Sequence, residues 1–175
     1  MHEPFKAVAA EPGTTRILEE ARSATLATIS PSGQPRLVPI CFATVPAAGP
    51  GLDPADSLAL RIYSPLDQKR KRSAEPRDLA RVRDIAADPR VSLLVDRWSE
   101  DWSTLGWLRL EGVAIVLEPE AGGAEHRAAV TALRERYPQY LRHELESRPL
   151  IRITPIRVTS WMATERLSEV SEDPS

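Results

Sequence analysis

Cysteine occurs once in this chain, at Cys41, so no internal disulfide can form. Cys41 sits in an apolar run, residues 38–45, where a small buried hydrophobe is the expected role rather than a nucleophile. Histidine is nearly as scarce. His2, His126 and His143 share no i, i+4 spacing and have no companion cluster of cysteines or carboxylates, so no metal site is expected. No apolar run approaches the roughly 18–20 residues that span a bilayer. The N-terminal stretch MHEPFKAVAAEPG lacks a basic region followed by an apolar core, so the cytoplasm is the expected location. Excess positive charge is missing too: the net charge is −2, which argues against a broad nucleic-acid surface. Aromatic residues make up only 5% of the chain, yet Trp98, Trp102 and Trp107 fall within ten residues of one another.

What is present is ordinary for a globular protein, with 42% hydrophobic and 27% charged residues in 175. That length suits one domain, expected over residues 14–163 between a loose lead-in, 1–13, and an acidic tail, 164–175. Thr14 or Thr15 can cap a short helix running to Arg22. Residues 24–30 and 35–45 read as two strands of a hairpin around the turn Pro31-Ser32-Gly33-Gln34, although Pro39 has no N–H for a ladder. Residues 46–56 are a Pro- and Gly-rich surface loop, and residues 58–63 a third strand. A helix is expected to start near Pro76, with Leu79, Val82, Ile85 and Ala86 at helical spacing, and to end before Asp88-Pro89. Residues 91–96 and 106–118 are strands, the second with a bulge signal at Gly112. A helix over residues 124–136, a short turn of helix within 141–147 and a last strand, residues 150–163, complete the pattern. Ile151, Ile153, Ile156 and Val158 are the inward candidates of that strand. Six strands, Gly/Pro turns and two sizeable helices favour a mainly β fold, an antiparallel barrel with flanking helices.

The chain has three lysines, and two of them, Lys69 and Lys71, flank Arg70 in the segment between the third strand and the next helix. From Arg61 to Arg72 five basic residues face one acid, Asp67. Basic side chains next to a helix start favour an anion, so a phosphate-bearing small molecule is the leading ligand class. The bland reading of such a run is a solvated surface.

Four stretches occur in a telling order: ATLATISPSGQPRLVPI, LRIYSPLDQKRKR, LARVRDIAADPRVSLLVD and a strand containing WLRLEG. Together they resemble the pyridoxamine-phosphate-oxidase-like, FMN-binding split-barrel superfamily, and within it the actinobacterial branch that uses the deazaflavin coenzyme F420. The resemblance spans roughly residues 14–162. It implies a six-stranded antiparallel split barrel of Greek-key type, acting as a homodimer with two cofactor sites at the subunit interface. In the family a Tyr-Ser or Tyr-Thr pair followed by a basic pair binds the cofactor phosphate, which here points to Tyr63, Ser64 and Lys69, with Arg70 as the alternative to Lys69. Arg61 shares a strand face with Tyr63 and is implied to reach the ring or the ribityl chain. The first hairpin lies beside the ring, which implicates Val38, Pro39, Ile40 and Arg36. Lys71 would suit the polyanionic tail that distinguishes F420 from FMN, the alternative cofactor. Trp102 and Trp107 either pack the dimer interface or line the ring. The implied activity is hydride transfer from reduced F420 to a small-molecule acceptor, with no dedicated general acid in view. The rival readings are an FMN oxidase or reductase and a non-enzymatic binder of flavin, deazaflavin or haem.

Overall fold

A computed structural model describes residues 12–46, 60–66 and 76–163. Among the described residues seven strands form a single antiparallel sheet in the order β2-β1-β5-β6-β7-β4-β3. They are β1 (Ala24–Ile29), β2 (Pro35–Ile40), β3 (Ala43–Pro46), β4 (Leu60–Pro65), β5 (Arg90–Arg97), β6 (Gly106–Leu117) and β7 (Leu150–Met162). The helices are α1 (Pro12–Glu20), α2 (Ala80–Ala87) and α3 (Pro119–Arg136), with 3-10 turns at Pro76–Asp78, Trp102–Thr104, Pro138–Arg142 and Leu145–Ser147.

The two edge strands, β2 and β3, are consecutive in the chain, with only Cys41 and Phe42 between them. Two residues cannot cross a flat seven-stranded sheet, so the sheet must curl until its edges meet, and it becomes a barrel left open at one seam. That junction corrects the expectation of six strands, because residues 35–45 do not form one continuous strand. Burial of the Tyr137 side chain is the physical reason. Its hydroxyl accepts from the Phe42 N–H at 3.1 Å and donates to the Phe42 carbonyl at 2.9 Å, which satisfies the groups a ladder would otherwise use.

Alternation along the strands sorts the side chains into two layers. Leu26, Leu93, Val95, Leu108, Leu110, Ile62, Ile151 and Ile153 face the barrel interior, where α1 and α2 contribute Ile17, Val82 and Ile85. A second apolar cluster lies outside the barrel, where α3 lays Ala129, Val130 and Leu133 on Tyr63, Ala43, Leu117 and Leu150. Helix α3 can lie there because it bends at Gly123, whose φ of 48° and ψ of −118° belong to glycine. The outer face of the β2-β1-β5-β6 half carries no helix among the described residues.

β7 brings a second correction. Ile151, Ile153 and Val158 point inward as expected, but Ile156 is 43% exposed. A register shift between Glu111 and Gly112, opposite Pro155, interrupts the alternation and turns both Ile156 and Arg157 outward. Among the described residues no helix is long and apolar enough to cross a membrane.

Candidate functional site

On β4, Arg61 and Tyr63 share a face, and helix α3 sets Glu125 against both of them. Tyr63 donates its hydroxyl to Glu125 Oε1 at 2.6 Å, and Arg61 Nη1 donates to the same oxygen at 2.8 Å. Arg152 of β7, paired with Tyr63 in the sheet, reaches both oxygens through Nη1 at 3.3 Å. Burial pushes the Tyr63 hydroxyl well above the ordinary tyrosine value, and its bond to the carboxylate adds to the rise. Burial also works to raise Glu125, but the hydrogen bonds from Tyr63 and Arg61 and the Arg152 charge outweigh it and hold the carboxyl below its usual range. Tyr63 is therefore held as a neutral donor to Glu125, not poised as a proton source. Ser64, one residue on, is buried on the opposite face of β4 with Ile62.

The first hairpin splits its candidates between two faces. Arg36, Val38 and Ile40 sit opposite Thr28, Leu26 and Ala24, the inward side of β1. Ile40 is buried and Val38 packs against the barrel core. Pro39 and its neighbour Leu37 face outward, Leu37 at 69% exposed. Arg36 is anchored from within, since its Nη1 donates at 2.8 Å to Asp84 of α2, a fully buried carboxylate that also accepts from Thr28 Oγ1 at 2.9 Å. Removing that carboxylate strands a buried hydroxyl and frees the guanidinium. Asp84→Ala is expected to cost about 1–3 kcal/mol, read as a lower urea midpoint with an unchanged slope. A midpoint equal to the wild type would show that neither bond contributes.

The uncovered outer face is apolar along a diagonal. Leu37, Leu94 and Trp161 follow that diagonal, and Ile156 and Ile115 are exposed to one side of it. Arg109, Glu111 and Arg157 pair with one another on the same face, and Trp107, half-buried, pairs with Trp161 across β6 and β7. Trp98 and Trp102, at 70% and 71% exposed, border its end on the loop after β5. An open groove of about 550 Å³ crosses the face between the hairpin tip and the bulge, lined by Ala27, Ile29, Pro35, Ser92, Ile156 and Arg157. That volume falls within the range of about 300–1,000 Å³ of small-molecule pockets. No cluster of three or more potential metal ligands occurs among the described residues.

Of the residues singled out in the sequence, Arg61 and Tyr63 come together on Glu125. Arg36 lies on a different element, Trp107 is on the open face, and Trp102 is in the turn after β5. Lys69, Arg70 and Lys71 lie outside the described residues, as do Arg72 and the acidic tail from residue 164. Glu125, Arg152 and Asp84 escaped sequence reading. Asp84 had a signal of its own, an acid set between Val82 and Ile85 on a short helix.

A barrel split along one seam, with a helix on one outer half and an open apolar face on the other, is the split-barrel class. The chain belongs to the pyridoxamine 5'-phosphate oxidase family, whose sequence profile matches residues 11–162. No curated protein matches the sequence. Among solved structures, a conserved hypothetical protein from Mycobacterium tuberculosis is similar at 25% identity, with 99% of each chain covered and a TM-score of 0.62. The haem storage protein HutZ from Vibrio cholerae shares the fold at 15% identity, a TM-score of 0.60 and coverage of 87% of this chain and 93% of its own. A protein described as an F420 reductase shares it at 21% identity, a TM-score of 0.50 and coverage of 82% and 94%.

Proposed function

We propose that this chain is a homodimeric oxidoreductase that binds the deazaflavin coenzyme F420 between its subunits and reduces a small-molecule acceptor. The observation that carries this reading is the open groove beside the first hairpin, whose surface is mostly apolar and is also lined by Arg90, Glu111 and Arg157, which suits a flat ring with polar edges. The basic pair Lys69 and Arg70, which follows β4 in the sequence, supports a phosphate there, although Tyr63 is turned to Glu125 and Ser64 is buried. Likeness in fold to a protein described as an F420 reductase is consistent with that cofactor.

When bound, the reduced deazaflavin would supply a hydride from its C5 to an activated C=C, C=N or nitro group. The chain's own part is to bind, to orient and to exclude water. Lys69, or Arg70 in its place, would hold the phosphate, and Lys71 the charged tail. Arg36, tethered to Asp84, would offer its remaining N–H groups at the edge of the hairpin. The proton that completes the reduction would come from solvent, since the Tyr63 hydroxyl is committed to Glu125. A second subunit would cover the outer face, closing the groove and bringing Trp102 and Trp107 to the ring or to the subunit contact.

Side-by-side fluorescence titrations with F420 and FMN test the assignment. Micromolar F420 binding with much weaker FMN binding supports it. The reverse preference moves the protein to the FMN oxidases and reductases of the family. Binding of haem alone, with no acceptor reduction, would make it a carrier or store. Lys69→Ala is expected to weaken cofactor binding by about 1.5–3 kcal/mol, the scale of a charge-assisted hydrogen bond. An unchanged dissociation constant removes Lys69 from the site.

A further inference from the structure

Where α3 crosses β4 and β7, two arginines and a tyrosine converge on a single carboxylate. Glu125 Oε1 takes the two short bonds, from Tyr63 and Arg61, and leaves Arg152 with contacts of 3.3 Å only. Arg152 Nε is buried and has no hydrogen-bond partner among the described residues. Its guanidinium is thus under-satisfied in a place where an unmet donor is costly. The charges of Arg61, Arg152 and Glu125 leave an excess of one positive charge. The side chains of Arg61, Glu125 and Arg152 are 26%, 29% and 23% exposed, enclosed enough for strong electrostatics and open enough for a solute to reach. The cluster also borders the uncovered face, because Arg152 pairs with Ile115, which is 40% exposed.

We propose that Arg61 and Arg152 form a binding site for a small oxyanion, a carboxylate or phosphate group, with Glu125 as the internal counter-ion that holds the two forks in place while the site is empty. An arriving oxyanion meets the exposed parts of the Arg61 and Arg152 guanidinium groups, and it pairs with the charge that Glu125 leaves unbalanced. Planar guanidinium forks suit both carboxylate and phosphate, so either group can fill the site. The site stands on the geometry of the cluster and does not depend on which ring cofactor the protein uses.

Titration calorimetry of the full chain tests this, with inorganic phosphate and then succinate, at ionic strength held constant with chloride. One oxyanion should bind per chain. Arg152→Gln should weaken that binding at least about tenfold. Glu125→Gln should strengthen it several-fold, because the competing internal anion is gone. A cluster that merely braces the fold would lose thermal stability in Glu125→Gln without any gain in affinity. Arg152→Lys, which keeps the charge and loses the fork, should bind with intermediate affinity and guards against misfolding of the glutamine variant. Equal phosphate affinity in the wild type and Arg152→Gln overturns the proposal. So does binding abolished by Lys69→Ala yet untouched by Arg152→Gln, which would assign the anion to the basic segment after β4. FMN titrated into Arg152→Gln identifies the source of the anion. A loss matching that for inorganic phosphate makes it the cofactor's phosphate, and an unaltered FMN affinity beside a weakened phosphate affinity makes it a group of another ligand. F420 titrations report on the reductase reading separately.

Discussion

Gly112→Ala should lower the stability of the protein by at least about 3 kcal/mol, the upper end of what overpacking costs. A Cβ at this position would lie 2.3 Å from the Thr154 carbonyl oxygen, 3.0 Å from its carbonyl carbon and 3.1 Å from Pro155 Cα. All three are backbone atoms, so no rotamer change can relieve the clash. Gly112 does not have a positive φ, so space rather than backbone conformation decides the outcome. The contact lies in the β6–β7 pairing, the longest in the sheet, at the register shift that turns Ile156 and Arg157 outward together. Relief would require the two strands to separate or to slip, and a slip would reverse which residues of β7 face the core. A guanidinium unfolding curve checks this, with a much lower midpoint expected. Any folded remainder should also bind its ligand more weakly, because Gly112 and Ile156 line the groove. An unchanged midpoint would mean that the bulge accommodates a methyl group and that its close approach is not what shapes β7.

The second large effect concerns the uncovered face. Leu94→Glu is expected to convert the proposed dimer to a monomer at micromolar concentration. Leu94 is 39% exposed in the single chain, and its neighbour across β6 is Arg109, so the new carboxylate has a partner and solvent while the chain is alone. In a two-fold contact the same substitution occurs on both copies and would bury the charge twice. Breaking or stranding a buried charge costs about 3–5 kcal/mol, and Arg109, already bridged to Glu111, offsets it only in part. Sedimentation velocity reads the mass directly, and thermal melting confirms that the monomer is folded. Cofactor affinity should fall along with the dimer, since the partner is proposed to complete the site. An unaltered mass would move the interface to another face. A monomer with full cofactor affinity would place the whole site within one chain.

Much of the fold is legible in local pattern. The hairpin of β1 and β2, the strand β5 after Asp88-Pro89, the bulge at Gly112 and the helix that ends at Arg136 each carry a nearby signal: a Gly turn, a Pro boundary, a glycine inside a strand, a 3.6-residue period. The break at Cys41–Phe42 has none, because residues 35–45 look like one strand. What divides them is the hydroxyl of Tyr137, 95 residues further on. Ile156 misleads for a similar reason: alternation places it inward, and a shift of register against a different strand turns it out. The site divides in the same way. Arg61 and Tyr63 are legible as a pair on one strand face, but Glu125 meets them from 62 to 64 residues away and Asp84 meets Arg36 from 48.

The sequence by itself therefore determined the elements, their alternating faces, the family and the basic segment that follows β4, all of which depend on residues near one another in the chain. Only the tertiary structure decided which acid answers which arginine, that the Tyr63 hydroxyl hydrogen-bonds to Glu125, and which half of the barrel stays uncovered. Those are matters of where α2 and α3 lie against the sheet. Helix placement follows from the curl that joins β2 to β3 and from the kink at Gly123, and composition carries no record of either, because packing acts through distance in space.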